Sequence, residues 1–266
     1  MSALIGVCAT NAVHLLTDAA ITYLRDGRLA NIQSKQILLG NGAVVTGAGS
    51  YWVPVEFAKL AAKLANFDEV REAAPEMWEK VRTSLPDQDK KTVCVLSTAG
   101  WSEKEARPWV EVFNADGRLG FGVFAAGPND EPIEPIARFV ERFVDDPDAF
   151  DPRRDGVGLM EDLRRYPRRY EQGTHPAVGG FVQHTAVTRD GSATQVLHNW
   201  SDLIGQHISL DEMPWSAPSG LSKSQFYAIR EMCVLADWER AAGRPLARPE
   251  DHDKEWAQLN VAAIVA

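Results

Sequence analysis

Glycine- and aspartate-bearing turns between short apolar runs constrain this chain more than any other feature. Asp26-Gly27 separates Ile21–Leu24 from Leu29–Ile32, and Gly40-Asn41-Gly42 separates Ile37–Leu39 from Ala43–Thr46. Asn114-Ala115-Asp116-Gly117 lies between Trp109–Phe113 and Leu119–Phe124, and Arg189-Asp190-Gly191-Ser192 between Phe181–Thr188 and Ala193–Trp200. Glycine, asparagine and aspartate accept the positive φ of tight hairpin turns, so each block predicts two antiparallel strands joined locally. Leu4–Cys8 and Ala12–Leu16, linked by Ala9-Thr10-Asn11, predict another such pair, and Thr92–Ser97 a further strand.

Between these blocks the apolar residues recur at helical spacings of three and four. Val53, Phe57, Leu60, Ala61 and Leu64 predict one helix, and Val70–Ser84, with Val70, Ala73, Ala74, Met77 and Val81 inward, a second. Pro132–Val144 predicts a third with Ile133, Ile136, Ala137, Val140 and Val144 inward. Val157–Arg169 predicts a fourth, limited by Pro167. Strands, two helices, strands, helices and strands in that order predict an α+β protein whose antiparallel sheets are covered by helix pairs. Residues 1–205 are expected to form this domain and residues 206–266 a C-terminal extension. Asp211–Lys223 is rich in proline, serine and glycine, and Ser224–Ala242 has helical periodicity. Some fifty residues make a poor core alone, so the extension is expected to pack on the domain or on a neighbouring subunit.

Composition removes several function classes. The 266 residues carry 28 basic and 37 acidic side chains, a net charge of −9, which argues against a dedicated nucleic-acid binder. No apolar run approaches the roughly 20 residues of a membrane span. No basic segment precedes Ser2–Cys8, so a secretory leader is not expected. Cys8, Cys94 and Cys233 are odd in number and scattered, which fits a reducing cytoplasm better than a disulfide framework.

Four residues carry a more specific signal: Ser2, Asp18, Lys35 and Gly49 in Thr46-Gly47-Ala48-Gly49 are separated by sixteen, seventeen and fourteen positions. This region resembles the start of proteasome β-subunits, the HslV peptidase and their Anbu relatives, all N-terminal-nucleophile (Ntn) hydrolases. Their pattern is a terminal nucleophile, an aspartate sixteen residues on, a lysine about sixteen later and a glycine fourteen beyond. The extra residue falls beside the Asp26-Gly27 turn, where insertion is cheap. Ala177-Val178-Gly179-Gly180, followed by a strand, Thr-Arg-Asp-Gly and another strand, is similar to the family's closing hairpin. The resemblance covers roughly residues 1–200 and implies a four-layer αββα sandwich with an added C-terminal arm.

It also implies a chemistry. A serine hydroxyl needs a base to take its proton. In the family that base is the chain's own α-amino group, whose ordinary pKa near 8 suits neutral pH. Ser2 would qualify once Met1 is removed. Lys35 would favour the hydroxyl's anionic form, Asp18 would hold the lysine charged and oriented, and the Gly49 N–H would stabilise the oxyanion. The implied activity is amide or peptide hydrolysis without a cofactor or metal, in a homo-oligomer, with an ATPase unfoldase as the family's type of partner. Two departures weigh against the enzyme reading, and the missing middle serine together with the added C-terminal arm favours another. The family's peptidases carry a serine in a Gly-Ser-Gly segment where this chain has Phe124-Ala125-Ala126-Gly127. Proteasomal subunits carry Asp-x-x-Ser where it has His175-Pro176-Ala177-Val178. The alternative is a catalytically silent scaffold on the same fold, a component of a ring or phage-type particle, placed in a virion rather than the cytoplasm.

Other candidates are weaker. The six histidines (His14, His175, His184, His198, His207 and His252) lack metal-ligand spacing, although His184 and His198 are candidates for cross-strand neighbours. Arg153-Arg154, Arg164-Arg165 and Arg168-Arg169 form a local basic cluster whose default is a solvated helix face. Trp52, Trp101, Trp200 and Trp215 adjoin loops and suit either subunit contacts or sheet-end packing. Gly47-Ala48-Gly49 lacks the rest of a Walker or Rossmann signature.

Overall fold

The computed structural model describes residues 3–50, 52–85, 95–114, 117–128 and 133–210. They belong to the first of two compact units, Met1–Ser216. The chain opens with β1 (Leu4–Cys8) and β2 (Val13–Asp18), which turn back on each other with Cys8 opposite Val13. A small ribbon follows, β3 (Ala20–Thr22) with β4 (Leu29–Ile32). Next come β5 (Gln36–Leu38), β6 (Val44–Ala48), α1 (Trp52–Ala61) and α2 (Phe67–Ser84). The middle of the chain supplies β7 (Val95–Ser102), β8 (Arg107–Asn114), β9 (Gly117–Phe121) and β10 (Val123–Ala126). After α3 (Glu134–Val144) and α4 (Val157–Arg164) the ribbon β11 (Arg168–Tyr170) with β12 (Gly173–His175) leads to β13 (Phe181–Thr188) and β14 (Gly191–Asn199).

These strands make two five-stranded antiparallel sheets, ordered β10-β1-β2-β13-β14 and β5-β6-β7-β8-β9. The protein is therefore mixed α+β, with mostly antiparallel sheets and four α-helices among the described residues. Alternation along the strands sends apolar side chains both ways. Val13 and Leu15 of β2 join Val44, Ala99 and Val110 of the second sheet in one apolar cluster. Leu16 of β2, with Ile5 and Val7 of β1, joins Phe139 and Phe143 of α3 and Met160 and Leu163 of α4 in another. A third unites Val53 and Phe57 of α1 and Val70 and Trp78 of α2 with Val45, Leu96 and Phe113 of the second sheet.

Three elements depart from the sequence reading. Leu119–Phe124 was expected as one strand, but Gly122 at φ 104 interrupts it, so β9 ends in one sheet and β10 begins in the other. The helix expected over Val157–Arg169 ends at Arg164. Pro167 has no N–H to continue it, and Arg168–Tyr170 pairs with Gly173–His175 instead. On α3 the buried residues are Pro135, Phe139 and Phe143, whereas Val144, expected inward, is 57% exposed. The two phenylalanines have more apolar area to hide and set the helix's rotation.

Past β14 the chain stays on the domain. The Gly205 N–H donates to the Leu29 carbonyl, the Leu29 N–H donates to the Gln206 carbonyl, and Ile208 is buried against Ala20 and Leu29. The Pro/Ser/Gly-rich stretch, the helix expected over Ser224–Ala242 and Trp215 lie outside the described residues.

Candidate active site

β2 ends on Asp18, a fully buried carboxylate. The antiparallel register sets Thr17 opposite Leu4, which brings the start of β1 beside the end of β2. The Ala3 N–H donates to Asp18 Oδ1 at 2.9 Å, and Lys35 Nζ donates to the same oxygen at 2.9 Å. Oδ2 accepts from the Ala20 N–H at 3.1 Å and the Gly179 N–H at 3.3 Å. Among the described residues four donors converge on this one buried carboxylate.

Lys35 stands just before β5, and its own carbonyl accepts from Thr46 Oγ1 of β6 at 2.9 Å. Its side chain is 7% exposed. Burial lowers the Lys35 pKa below the ordinary lysine value, against the opposing pull of the Asp18 charge and hydrogen bond. Desolvating such a pair costs several kcal/mol per ion in typical cases, about what its attraction returns, so packing alone gives little reason to keep it.

The neighbouring Gln36 is a residue that sequence reasoning missed. Its Nε2 reaches the carbonyls of Leu15 and Gln183 at 3.3 and 3.4 Å and Thr17 Oγ1 at 3.3 Å, while its Oε1 accepts from Thr185 Oγ1. One buried amide thus ties β5 of the second sheet to β2 and β13 of the first. A glutamine beside a lysine in a three-residue strand carries no pattern that would single it out.

Gly49 follows β6 at φ 108, at the turn into α1. An L side chain is strained there, which explains the glycine. Gly47 has a different cause: a Cβ on it would lie 2.7 Å from the Val95 carbonyl oxygen. Ser2 lies outside the described residues. The structure brings Asp18 and Lys35 into contact, and places Gly49 three residues beyond the Thr46 that holds the Lys35 carbonyl.

Gly179 is the second missed participant. The sequence displayed the glycine pair as part of a hairpin but not its contact with Asp18, which depends on a partner 161 residues away. The Phe124-Ala125-Ala126-Gly127 segment runs beside the first strand, with Ala126 opposite Leu4 and Gly6 opposite Phe124.

The histidines sort differently from expectation. The register of the late hairpin sets His184 opposite Gln195 and His198 opposite Val182, so the two are not cross-strand partners. His184 Nε2 instead contacts His14 Nδ1 of β2 at 3.0 Å. Among the described residues no group of three or more His, Cys, Asp or Glu side chains is placed to hold a metal. The arginine cluster is not a uniformly solvated face: Arg164 is 6% exposed and paired with Asp202.

No protein-family model and no curated protein sequence matches this chain.

Proposed function

We propose that the chain is an Ntn hydrolase of the proteasome/HslV type that cleaves amide bonds, peptides in the first instance, with Ser2 as nucleophile after loss of Met1. The observation that carries the reading is the buried Asp18–Lys35 ion pair whose shared oxygen also holds the Ala3 N–H, one residue past the proposed nucleophile. A buried lysine with a lowered pKa beside a buried acid is the kind of group found at working sites. The fold part of the reading, a four-layer αββα sandwich, is supported by the three apolar clusters, which join helices to sheet, sheet to sheet and sheet to helices.

In this mechanism the Ser2 α-amine takes the hydroxyl proton as Oγ bonds to the substrate carbonyl carbon. The Lys35 ammonium favours the developing alkoxide, and the Gly49 N–H donates to the oxyanion. The amine then passes its proton to the leaving nitrogen as the C–N bond breaks; water attacks the resulting ester with the amine again as base, the C–Oγ bond breaks, and the amine returns the proton to Oγ as the acid product leaves. The working form is a homo-oligomer, and an ATPase unfoldase is the partner type this chemistry suits. A second reading, a silent structural scaffold of the same fold, is favoured by the hydroxyl-free Phe124–Gly127 segment lying directly beside β1.

Intact-mass measurement comes first: loss of the methionine mass is expected. An Ntn-directed electrophile should then label the native protein on Ser2 and label neither Ser2→Ala nor Lys35→Ala. Retention of Met1, or equal labelling and peptide hydrolysis in both variants, removes the hydrolase and leaves the scaffold.

A further inference from the structure

Arg164 and Asp202 form a second buried ion pair, with side chains 7% and 2% exposed, 2.6 Å apart at the closest contact. The pair is bidentate: Arg164 Nη1 donates to Asp202 Oδ2 at 2.8 Å, and Nη2 donates to Oδ1. Planar guanidinium–carboxylate pairs of this kind fix orientation as well as distance. What they fix is the entry to β13. Arg164 Nη1 also donates to the Val178 carbonyl at 2.9 Å, and Asp202 Oδ2 accepts from the Gly180 N–H at 2.7 Å.

Between those two anchors lies Gly179, whose other side is bound to the first site. Its N–H donates to Asp18 Oδ2, and its carbonyl accepts from the N–H groups of Ala19 and Ala20 at 3.0 Å each. The fit explains why position 179 has no side chain: a Cβ there would meet Asp202 Oδ2 at 2.4 Å and Arg164 Nη1 at 2.9 Å. Val178–Gly180 is thus a backbone bridge with one buried acid on each flank. The far end of the clamp reaches the departing chain, because Arg164 Nη2 donates to the Ser209 carbonyl at 2.6 Å.

We propose that Arg164 and Asp202 are positioning residues that press Val178–Gly180 against Asp18 and so hold the acid on which Lys35 and the first strand are anchored. The proposal deepens, and rests on, the reading of Asp18 and Lys35 as a working pair. They act on Asp18 through the bridge. The chain leaving β14 thereby becomes part of the site's frame, because Asp202 belongs to it and Ser209 is tied to the same guanidinium.

The test uses the full chain with its lysine side chains isotopically labelled, so that NMR reads the Lys35 titration directly. Asp202→Asn removes the charge with little change in shape, and Arg164→Lys keeps the charge but loses the fork. Glu79→Gln, which breaks an exposed helix pair with Arg82, is the control. Both clamp variants should raise the Lys35 midpoint toward the ordinary lysine value and speed amide exchange of Ala3 and Gly179 at least tenfold, while the control changes neither. Folded clamp variants with wild-type midpoint and exchange would overturn the proposal. Should neither variant fold, native-state exchange of the wild type in low urea decides. Common opening of Ala3, Gly179 and Gly180 supports the clamp, and separate opening overturns it. Electrophile labelling of Ser2 in the wild-type protein keeps the two readings distinguishable. A moved midpoint with an inert Ser2 retains the clamp and removes the enzyme, whereas a reactive Ser2 with an unmoved midpoint does the reverse.

Discussion

Lys35 Nζ stands 2.9 Å from Asp18 Oδ1, and the carboxylate has no exposed surface. Removing one member leaves the other charged where water cannot reach it, so Lys35→Met should lose about 3–5 kcal/mol of stability. The paired change Asp18→Asn with Lys35→Met removes both charges and should recover a good part of that loss. Urea denaturation of the two single variants and the double variant checks this. A double variant no more stable than the worse single one would show that the pair is not an electrostatic unit.

His184 provides the pH dependence. Burial, the neighbouring His14 and Arg153 push its pKa down from 6.5 to about 4. Between those values the unfolded chain binds more protons at this position than the folded one, so stability rises with pH there. Acidification from pH 6.5 to 4 should therefore cost on the order of 2 kcal/mol through this residue, at a slope of up to about 1.4 kcal/mol per pH unit. Subtracting the curve for His184→Gln from that of the wild type isolates the contribution from the carboxylates that titrate nearby. A flat difference curve would show that the imidazole is not held neutral by the fold.

Much of the mixed α+β character, with its antiparallel strand pairs, was legible because it is written locally. The short apolar run Leu4–Cys8 and glycine turns such as Asp26-Gly27 specify strands and hairpins without reference to the rest of the chain. The period of α2 likewise marks its buried face. What failed depended on distant partners or on competition between similar residues. The break at Gly122 is a choice between two sheets, both available to the same apolar run. The rotation of α3 was decided by Phe139 and Phe143 over Val144, a difference in buried area rather than in pattern. At the site, Asp18 and Lys35 were visible through their spacing, whereas Gln36, Gly179 and the Arg164–Asp202 pair became significant only when folding brought their partners together.

Gly47 in β6 and Gly49 just after it should respond to alanine by separable routes. Gly49 is constrained by backbone conformation, at φ 108, and Gly47 by a close backbone neighbour, the Val95 carbonyl. Gly49→Ala should cost at least about 1 kcal/mol from strain at a φ that L residues avoid. It should also distort the turn that carries the proposed oxyanion donor, lowering electrophile labelling more than stability. Gly47→Ala should force β6 and β7 apart and lower stability and labelling together. Thermal unfolding and labelling rates measured side by side distinguish the two; parallel losses in both variants would refute the separate roles.

Gln36 joins β5 to β2 and β13 through four hydrogen bonds at one buried amide. Gln36→Leu preserves the approximate volume but leaves Thr17, Thr185 and two carbonyls facing an apolar group. Each unmet buried partner typically costs about 1–3 kcal/mol, although some will find substitutes after relaxation. A net loss of roughly 2–4 kcal/mol is expected. Gln36→Glu is the sharper probe. It keeps the acceptor that Thr185 uses but replaces the donating nitrogen with an oxygen directed at carbonyl oxygens, and it adds a charge beside the Asp18–Lys35 pair. Stability of Gln36→Glu should therefore fall at neutral pH and recover below its own carboxyl pKa, which burial will have raised. A variant whose stability relative to wild type does not depend on pH would mean that water or rearrangement satisfies the position, and that the amide is not the link between the sheets.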